Sequence, residues 1–208
     1  MHTTDLITDD AIAVRETVRL VAGLSADDLS RPTPCAGWDL GRLLTHMTVQ
    51  HRGFAAAASG RGADPSLWEM PAAGWLPDVV RGYAASAELV LAAFATPGVL
   101  DAEFTLPELS TSRGFPGRAA IGFHLVDYVV HGWDVASSLG LPFALPTPVL
   151  AATLPLARAV PSGPSRLAPG AAFAPALAVP ADADPLAEIL LLLGREPSHR
   201  AEIVGGSR

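Results

Sequence analysis

Segment 123–134 constrains this chain most, because it places three metal-ligand side chains inside an otherwise apolar stretch. His124, Asp127 and His131 follow one another at intervals of three and four residues. In an α-helix, positions i, i+3 and i+7 project from nearly one face. Burying two imidazoles and a carboxylate among valines is costly unless they have partners. A metal ion suits these groups best, and a buried His–Asp hydrogen bond is the alternative.

A third ligand is predicted on another helix. The apolar spacing over residues 39–58 predicts a helix capped by Asp39, and His46 lies beside its apolar stripe. His46, Asp127 and His131 would form an open site with room for water or substrate. Zinc is the first choice of metal, with iron, nickel and manganese as alternatives. His124 could replace or supplement a ligand, orient one, or carry a proton as a catalytic residue.

The remaining periodicity predicts an all-α fold. Helices are expected over residues 9–24, 39–58, 78–95, 116–139, 148–160 and 186–193, the first capped by Thr8 or Asp9. Gly140 is expected to end the fourth helix and Pro155 to kink or interrupt the fifth. We expect a short extended piece at 103–106, irregular structure or short strands over 161–181, and a partly disordered tail over 198–208. Four long helices favour a bundle. We expect a metal-binding bundle over residues 1–145 and an extension with one or two short helices over 146–208.

Composition narrows the classes of partner. The net charge of −7, with all fourteen basic residues arginine and scattered along the chain, argues against nucleic acid. No apolar run is long enough to cross a membrane, and no secretory signal is evident, so we expect a cytoplasmic protein. The single cysteine, Cys35, excludes an internal disulfide and a multi-cysteine metal site. We expect Cys35 to pack its loop rather than react.

Two tryptophans each precede an aspartate. Trp38 and Trp133 could line a substrate pocket, or they could pack in the core. No phosphate-binding glycine loop and no serine-hydrolase elbow is present.

Segments 32–46 and 127–134 resemble the DinB-like metal-binding bundle proteins related to the N-terminal domain of mycothiol-dependent maleylpyruvate isomerase. Segment 190–197 is similar to the end of the short actinobacterial members. The resemblance implies a four-helix bundle, often dimeric, in which His46, Asp127 and His131 hold the metal. The isomerase has Glu where this chain has Asp127, and the shorter carboxylate changes the reach of that ligand.

The resemblance also implies a chemistry. Family enzymes of known activity use the metal, usually zinc, to bind and activate a low-molecular-weight thiol such as mycothiol. A coordinated thiol loses its proton and attacks an electrophilic small molecule, giving isomerisation or transfer. Water or His124 would then move protons. Two rival functions remain: a thiol-independent metal-dependent hydrolase, lyase or cyclase of specialised metabolism, and a non-enzymatic protein that binds a metal or a small ligand.

Overall fold

The computed structural model describes residues 3–35, 37–72, 75, 78–168 and 171–197. It confirms the all-α prediction. The helices are α1 Thr3–Val21, α2 Leu40–Ala58, α3 Val79–Phe94, α4 Gly117–Leu139, α5 Thr147–Ala159 and α6 Pro185–Leu192. Short 3₁₀ turns occupy Ala26–Ser30, Pro65–Trp68 and Pro164–Leu167, and the strands β1 Glu103–Phe104 and β2 Phe115–Pro116 pair antiparallel.

The first four helices form the bundle. Helix α2 packs against α3, and α1 packs against α4. Helix α4 is the central element, because nearly every side chain in its second half is buried. The core between the helices is apolar and aromatic; its largest fully buried members include Tyr83, Phe94, Leu43, Met47, Leu125 and Tyr128.

Local sequence signals place the two helices that matter most. The side chain of Asp39 accepts a hydrogen bond from the backbone N of Arg42 at 2.8 Å and so caps α2, as predicted. Gly140 adopts a left-handed φ of 66° and ends α4, also as predicted.

Helix α1 corrects one prediction. It begins at Thr3, so Thr8 and Asp9 lie inside the helix and neither caps it. The predicted extended piece at 103–106 is a strand of two residues, Glu103–Phe104, which ends earlier than expected.

The chain after Gly140 packs on the bundle. Helix α5 contacts α1 and α4, and α6 contacts α5. Arg158 on α5 bonds to Glu188 on α6, and the guanidinium of Arg166 donates to four backbone carbonyls, including Val160 O and Leu192 O. Pro155 lies inside α5. The predicted boundary at 145 falls in the loop before α5 and stays a prediction, and the predicted tail lies outside the described residues. None of the described helices combines the length and apolar composition of a transmembrane span.

Candidate metal centre

Three predicted ligands meet between α2 and α4. One ligand atom from each of His46, Asp127 and His131 lies within 4.8 Å of the other two. Asp127 and His131 are one helical turn apart, which brings Oδ1 within 3.3 Å of Nε2. His46 approaches from α2, and its ring centroid is 5.3 Å from that of His131. The structure thus brings these three side chains together; their role as metal ligands stays a prediction.

His46 has the protonation state that a ligand needs. Burial lowers the pKa of His46 to about 4, although the charge of Asp127 opposes that shift. The imidazole is therefore neutral at pH 7 and offers a lone pair. The Trp38 ring packs against it, with centroids 5.1 Å apart. Trp38 thus borders the site, whereas Trp133 is buried in the hydrophobic core. Substrate contacts by either tryptophan stay predictions.

The second ring nitrogen of His131 is hydrogen-bonded to a buried carboxylate. Its Nδ1 lies 2.9 Å from Oδ2 of Asp134, one turn further along α4. Arg195, which follows α6, donates from Nε to Oδ1 at 3.0 Å and from Nη2 to Oδ2 at 3.1 Å. Burial alone would raise the pKa of Asp134, but the bond with His131 and the charge of Arg195 lower it below its ordinary value. A carboxylate behind a histidine fixes the ring and its tautomer, as in many metal sites.

Cys35 packs against the core, and it also contacts the candidate site. Its Sγ accepts from Arg195 Nη2 at 3.0 Å and lies 3.9 Å from His131 Nδ1, two contacts that the sequence analysis did not predict. That Cys35 does not react stays a prediction. Its thiol donates to Asp134 Oδ2 at 3.4 Å. Cys35, His131 and Asp134 therefore form a second grouping of potential ligands. The guanidinium of Arg195 already lies against this side and repels a cation, so the grouping with His46 is the better metal site.

The charges around His131 also favour a cation. Burial lowers the pKa of His131, but the charge of Asp127 and the hydrogen bond with Asp134 contribute to raising it well above its ordinary value. The ring therefore lies in a negative potential. A divalent cation on the Nε2 side would benefit from the same potential.

A further carboxylate lies beside this site and was missed by the sequence analysis. Gln50 is one turn after His46 on α2, and its Nε2 donates to Oε2 of Glu108 at 2.7 Å. Burial raises the pKa of Glu108, and the charge of Asp127 adds to the rise. Glu108 belongs to the loop between β1 and β2, whose sequence carries no spacing that ties it to α2 or α4.

His124 does not join the ligands that it was grouped with. Its Nδ1 bonds to Asp10 Oδ1 at 2.7 Å, and it belongs to neither ligand grouping found among the described residues. His124 and His131 share a helix face, but seven residues of α-helix separate them by about 10 Å along the axis. His51 also points away from His46, as expected, and bonds to Ser86. A catalytic role of His124 stays a prediction.

Comparison with known proteins identifies the family. Residues 11–136 match the family model of the mycothiol maleylpyruvate isomerase N-terminal domain. The chain belongs to this family. The match confirms the predicted resemblance, and it spans His46, Asp127 and His131 but not Arg195. An uncharacterized protein of Mycobacterium tuberculosis, present in strains CDC 1551 and H37Rv, is 32% identical over 177 residues, covering 85% of this chain and 90% of its own.

A solved member of the mycothiol maleylpyruvate isomerase group shares the fold. The crystal structure of the mycothiol-dependent maleylpyruvate isomerase superposes with a TM-score of 0.55 at 13% sequence identity. The superposition covers 74% of this chain and 68% of the isomerase chain. At this identity the likeness establishes the bundle fold alone.

Proposed function

We propose that this chain is a metal-dependent enzyme that activates mycothiol, or a similar low-molecular-weight thiol, for attack on an electrophilic small molecule. One observation carries the proposal: His46, Asp127 and His131 converge within 4.8 Å in a chain of the mycothiol maleylpyruvate isomerase N-terminal domain family. The solved isomerase of the same fold is mycothiol-dependent, which supports a thiol as the co-substrate. The reaction would be an isomerisation or a thiol transfer.

The donor set fits a zinc ion. Two imidazole nitrogens and one carboxylate oxygen are ligands that zinc accepts, and three protein ligands leave a position for a small molecule. A bound zinc ion favours the deprotonated form of a coordinated thiol, and so supplies a thiolate near neutral pH. Iron, nickel and manganese accept similar ligands and remain alternatives.

The other side chains of the site have separate tasks. Asp134 holds the His131 ring so that Nε2 faces the ligand grouping, and Arg195 neutralises the buried Asp134. Trp38 walls the site beside His46. Glu108 has a raised pKa and lies exposed to solvent, so it is suited to exchange a proton between the reacting molecules and solvent.

Metal content and thiol-dependent turnover test the proposal. Untagged protein purified without chelator should hold one equivalent of metal more than Asp127→Asn or His46→Ala. Asp101→Asn is the matched control, since it makes the same change at an exposed carboxylate. Turnover of electrophilic substrates should require mycothiol and disappear with the site metal.

The other outcomes overturn the proposal in different ways. Metal-dependent turnover without any thiol would identify a hydrolase, lyase or cyclase. Ligand binding without turnover, unchanged in His131→Ala, would identify a binding protein. Equal metal content in wild type and Asp127→Asn would show that the three predicted ligands do not bind a metal ion together.

A further inference from the structure

A second group of polar side chains crosses the interior of the bundle, apart from the candidate metal centre. It consists of Asp10 on α1, His51 on α2, Ser86 on α3 and His124 on α4. Asp10, His51 and His124 are fully buried, and Ser86 is 2% exposed. We propose that His51 and His124 form a second, interior site for a transition-metal ion, with Asp10 as the charge that balances it.

The hydrogen bonds define which nitrogen of His51 is free. The hydroxyl of Ser86 donates to the backbone O of Tyr83 at 2.7 Å, so its oxygen is left to accept from Nδ1 of His51 at 3.0 Å. The proton of a neutral His51 is therefore on Nδ1, and the lone pair is on Nε2. Burial and the neighbouring His124 hold the pKa of His51 well below its ordinary value, so the ring is neutral at pH 7.

His124 is held in the same way by a carboxylate. Its Nδ1 lies 2.7 Å from Oδ1 of Asp10. With its Nδ1 proton donated to Asp10, a neutral His124 carries the lone pair on Nε2. A histidine whose Nδ1 donates to an oxygen while Nε2 stays bare is the arrangement that most metal-ligating histidines adopt. The Nδ1 atoms of His51 and His124 are thus both hydrogen-bonded to an oxygen, and these bonds orient the two rings.

Three buried atoms in this interior group have no hydrogen-bond partner among the described residues. They are Nε2 of His51, Nε2 of His124 and Oδ2 of Asp10, and none has a hydrogen bond to any residue that the structure describes. A buried polar atom without a partner costs about 1–3 kcal/mol, so native proteins rarely keep several in one place. A shared ligand would satisfy the two nitrogens at once.

The spacing of the rings suits a shared metal ion. The centroids of His51 and His124 are 5.6 Å apart, close to the 5.3 Å between His46 and His131 in the candidate metal centre. Tyr128 stacks against both interior rings, at centroid distances of 4.3 and 4.2 Å, and so fixes their relative position.

The buried carboxylate of Asp10 favours a cation over a water molecule as the shared ligand of the two histidines. A buried carboxylate needs a compensating positive charge, and the salt bridge recorded for Asp10 among the described residues is to His124. A cation held by His51 and His124 would place positive charge close to that carboxylate. Imidazole nitrogens select transition metals such as zinc, cobalt or copper rather than magnesium or calcium.

Metal titration of untagged apoprotein tests this second site. Cobalt(II) is the probe, followed by its visible absorption, and bound metal is counted by elemental analysis after gel filtration. Wild type should bind two equivalents and Asp127→Asn one. His51→Phe, which keeps a ring of similar breadth without nitrogen ligands, should also bind one. Combining the two substitutions should leave none.

The titration also separates this inference from the proposed function. A wild type that saturates at one equivalent, lost in Asp127→Asn, would overturn the interior site and leave the first site intact. A second equivalent that persists in His51→Phe would also overturn it, because the metal would then lie elsewhere, for example at Cys35. If the His51→Phe protein fails to fold, Cys35→Ser combined with Asp127→Asn keeps the test open, because it removes the other grouping of potential ligands. This double variant should still bind one equivalent, and loss of that equivalent would overturn the interior site.

Discussion

Arg195 holds Asp134 through both carboxylate oxygens, at 3.0 Å and 3.1 Å, although the two residues are 61 positions apart in the chain. Asp134 is fully buried and Arg195 is 5% exposed, so this pair has almost no access to water. The same carboxylate contacts His131 of the candidate metal centre. A residue from the end of the described chain therefore determines the surroundings of a helix in its middle.

Removing Arg195 should destabilise the fold strongly. In Arg195→Ala, Asp134 keeps its charge without a counter-ion, and breaking a buried pair in this way costs about 3–5 kcal/mol. Arg158→Ala is the control, because the Arg158–Glu188 pair is exposed and should be worth less than about 1 kcal/mol. Urea unfolding measures both losses. Similar losses for the two variants would contradict the buried pair.

Acid should weaken this part of the structure. The pKa of Asp134 is lowered in the folded state, so its stabilisation is present above the unfolded value near 4 and is lost as pH falls through the folded pKa. Asp134→Asn should be less stable than wild type at pH 6, and the difference should shrink as the pH drops below 4. Urea midpoints from pH 6 to pH 3 test this. A difference that is constant with pH would show that the charge of Asp134 makes no contribution.

Metal removal should lower the thermal stability of wild type. A ligand that binds only the folded state stabilises it by mass action, about 2.7 kcal/mol at a free concentration one hundred times its Kd. Chelator should therefore lower the Tm of wild type by several degrees and that of Asp127→Asn by less. Asp101→Asn should respond like wild type. An equal response of Asp127→Asn and wild type would place the stabilising metal outside this centre.

Alanine substitution at two helical glycines should change the stability of the protein in opposite directions. A Cβ at Gly82 on α3 would meet no atom closer than 3.8 Å, so Gly82→Ala should stabilise the protein by about 0.5–1 kcal/mol. A Cβ at Gly132 on α4 would lie 2.8 Å from the Phe143 ring and 3.0 Å from Thr17, so Gly132→Ala should destabilise it. Thermal melts of the two variants compare them directly. A stabilised Gly132→Ala would show that α4 has room beside His131.

Helical periodicity and capping predicted most of the bundle. Asp39 starts α2 and Gly140 ends α4, as expected, because caps act over three or four residues and are visible in sequence. The start of α1 was placed too late, since residues 3–8 carry no apolar repeat that separates a helix from a loop.

The three predicted ligands could be found from helical spacing. Asp127 and His131 form a pair on one helical turn, and the apolar stripe of α2 placed His46 beside the bundle interior. The family resemblance then implied the same three residues. Cys35 and Arg195 were missed as site residues, since each meets Asp134 across a long separation in the chain. The sequence grouped His124 with Asp127 and His131 on one helix face, but a shared face does not imply a shared level along the axis, and His124 bonds to Asp10 instead.

During synthesis on the ribosome, Asp134 is made well before Arg195, its partner in the folded protein. At 5–20 residues per second, roughly 3–12 s pass between the synthesis of Asp134 and that of Arg195. During that interval the nascent bundle would have to bury Asp134 without its counter-ion, which disfavours early closure of α4 against its neighbours. The lowest-energy closure of α4 therefore has to wait for the segment after α6, which brings Arg195 to Asp134.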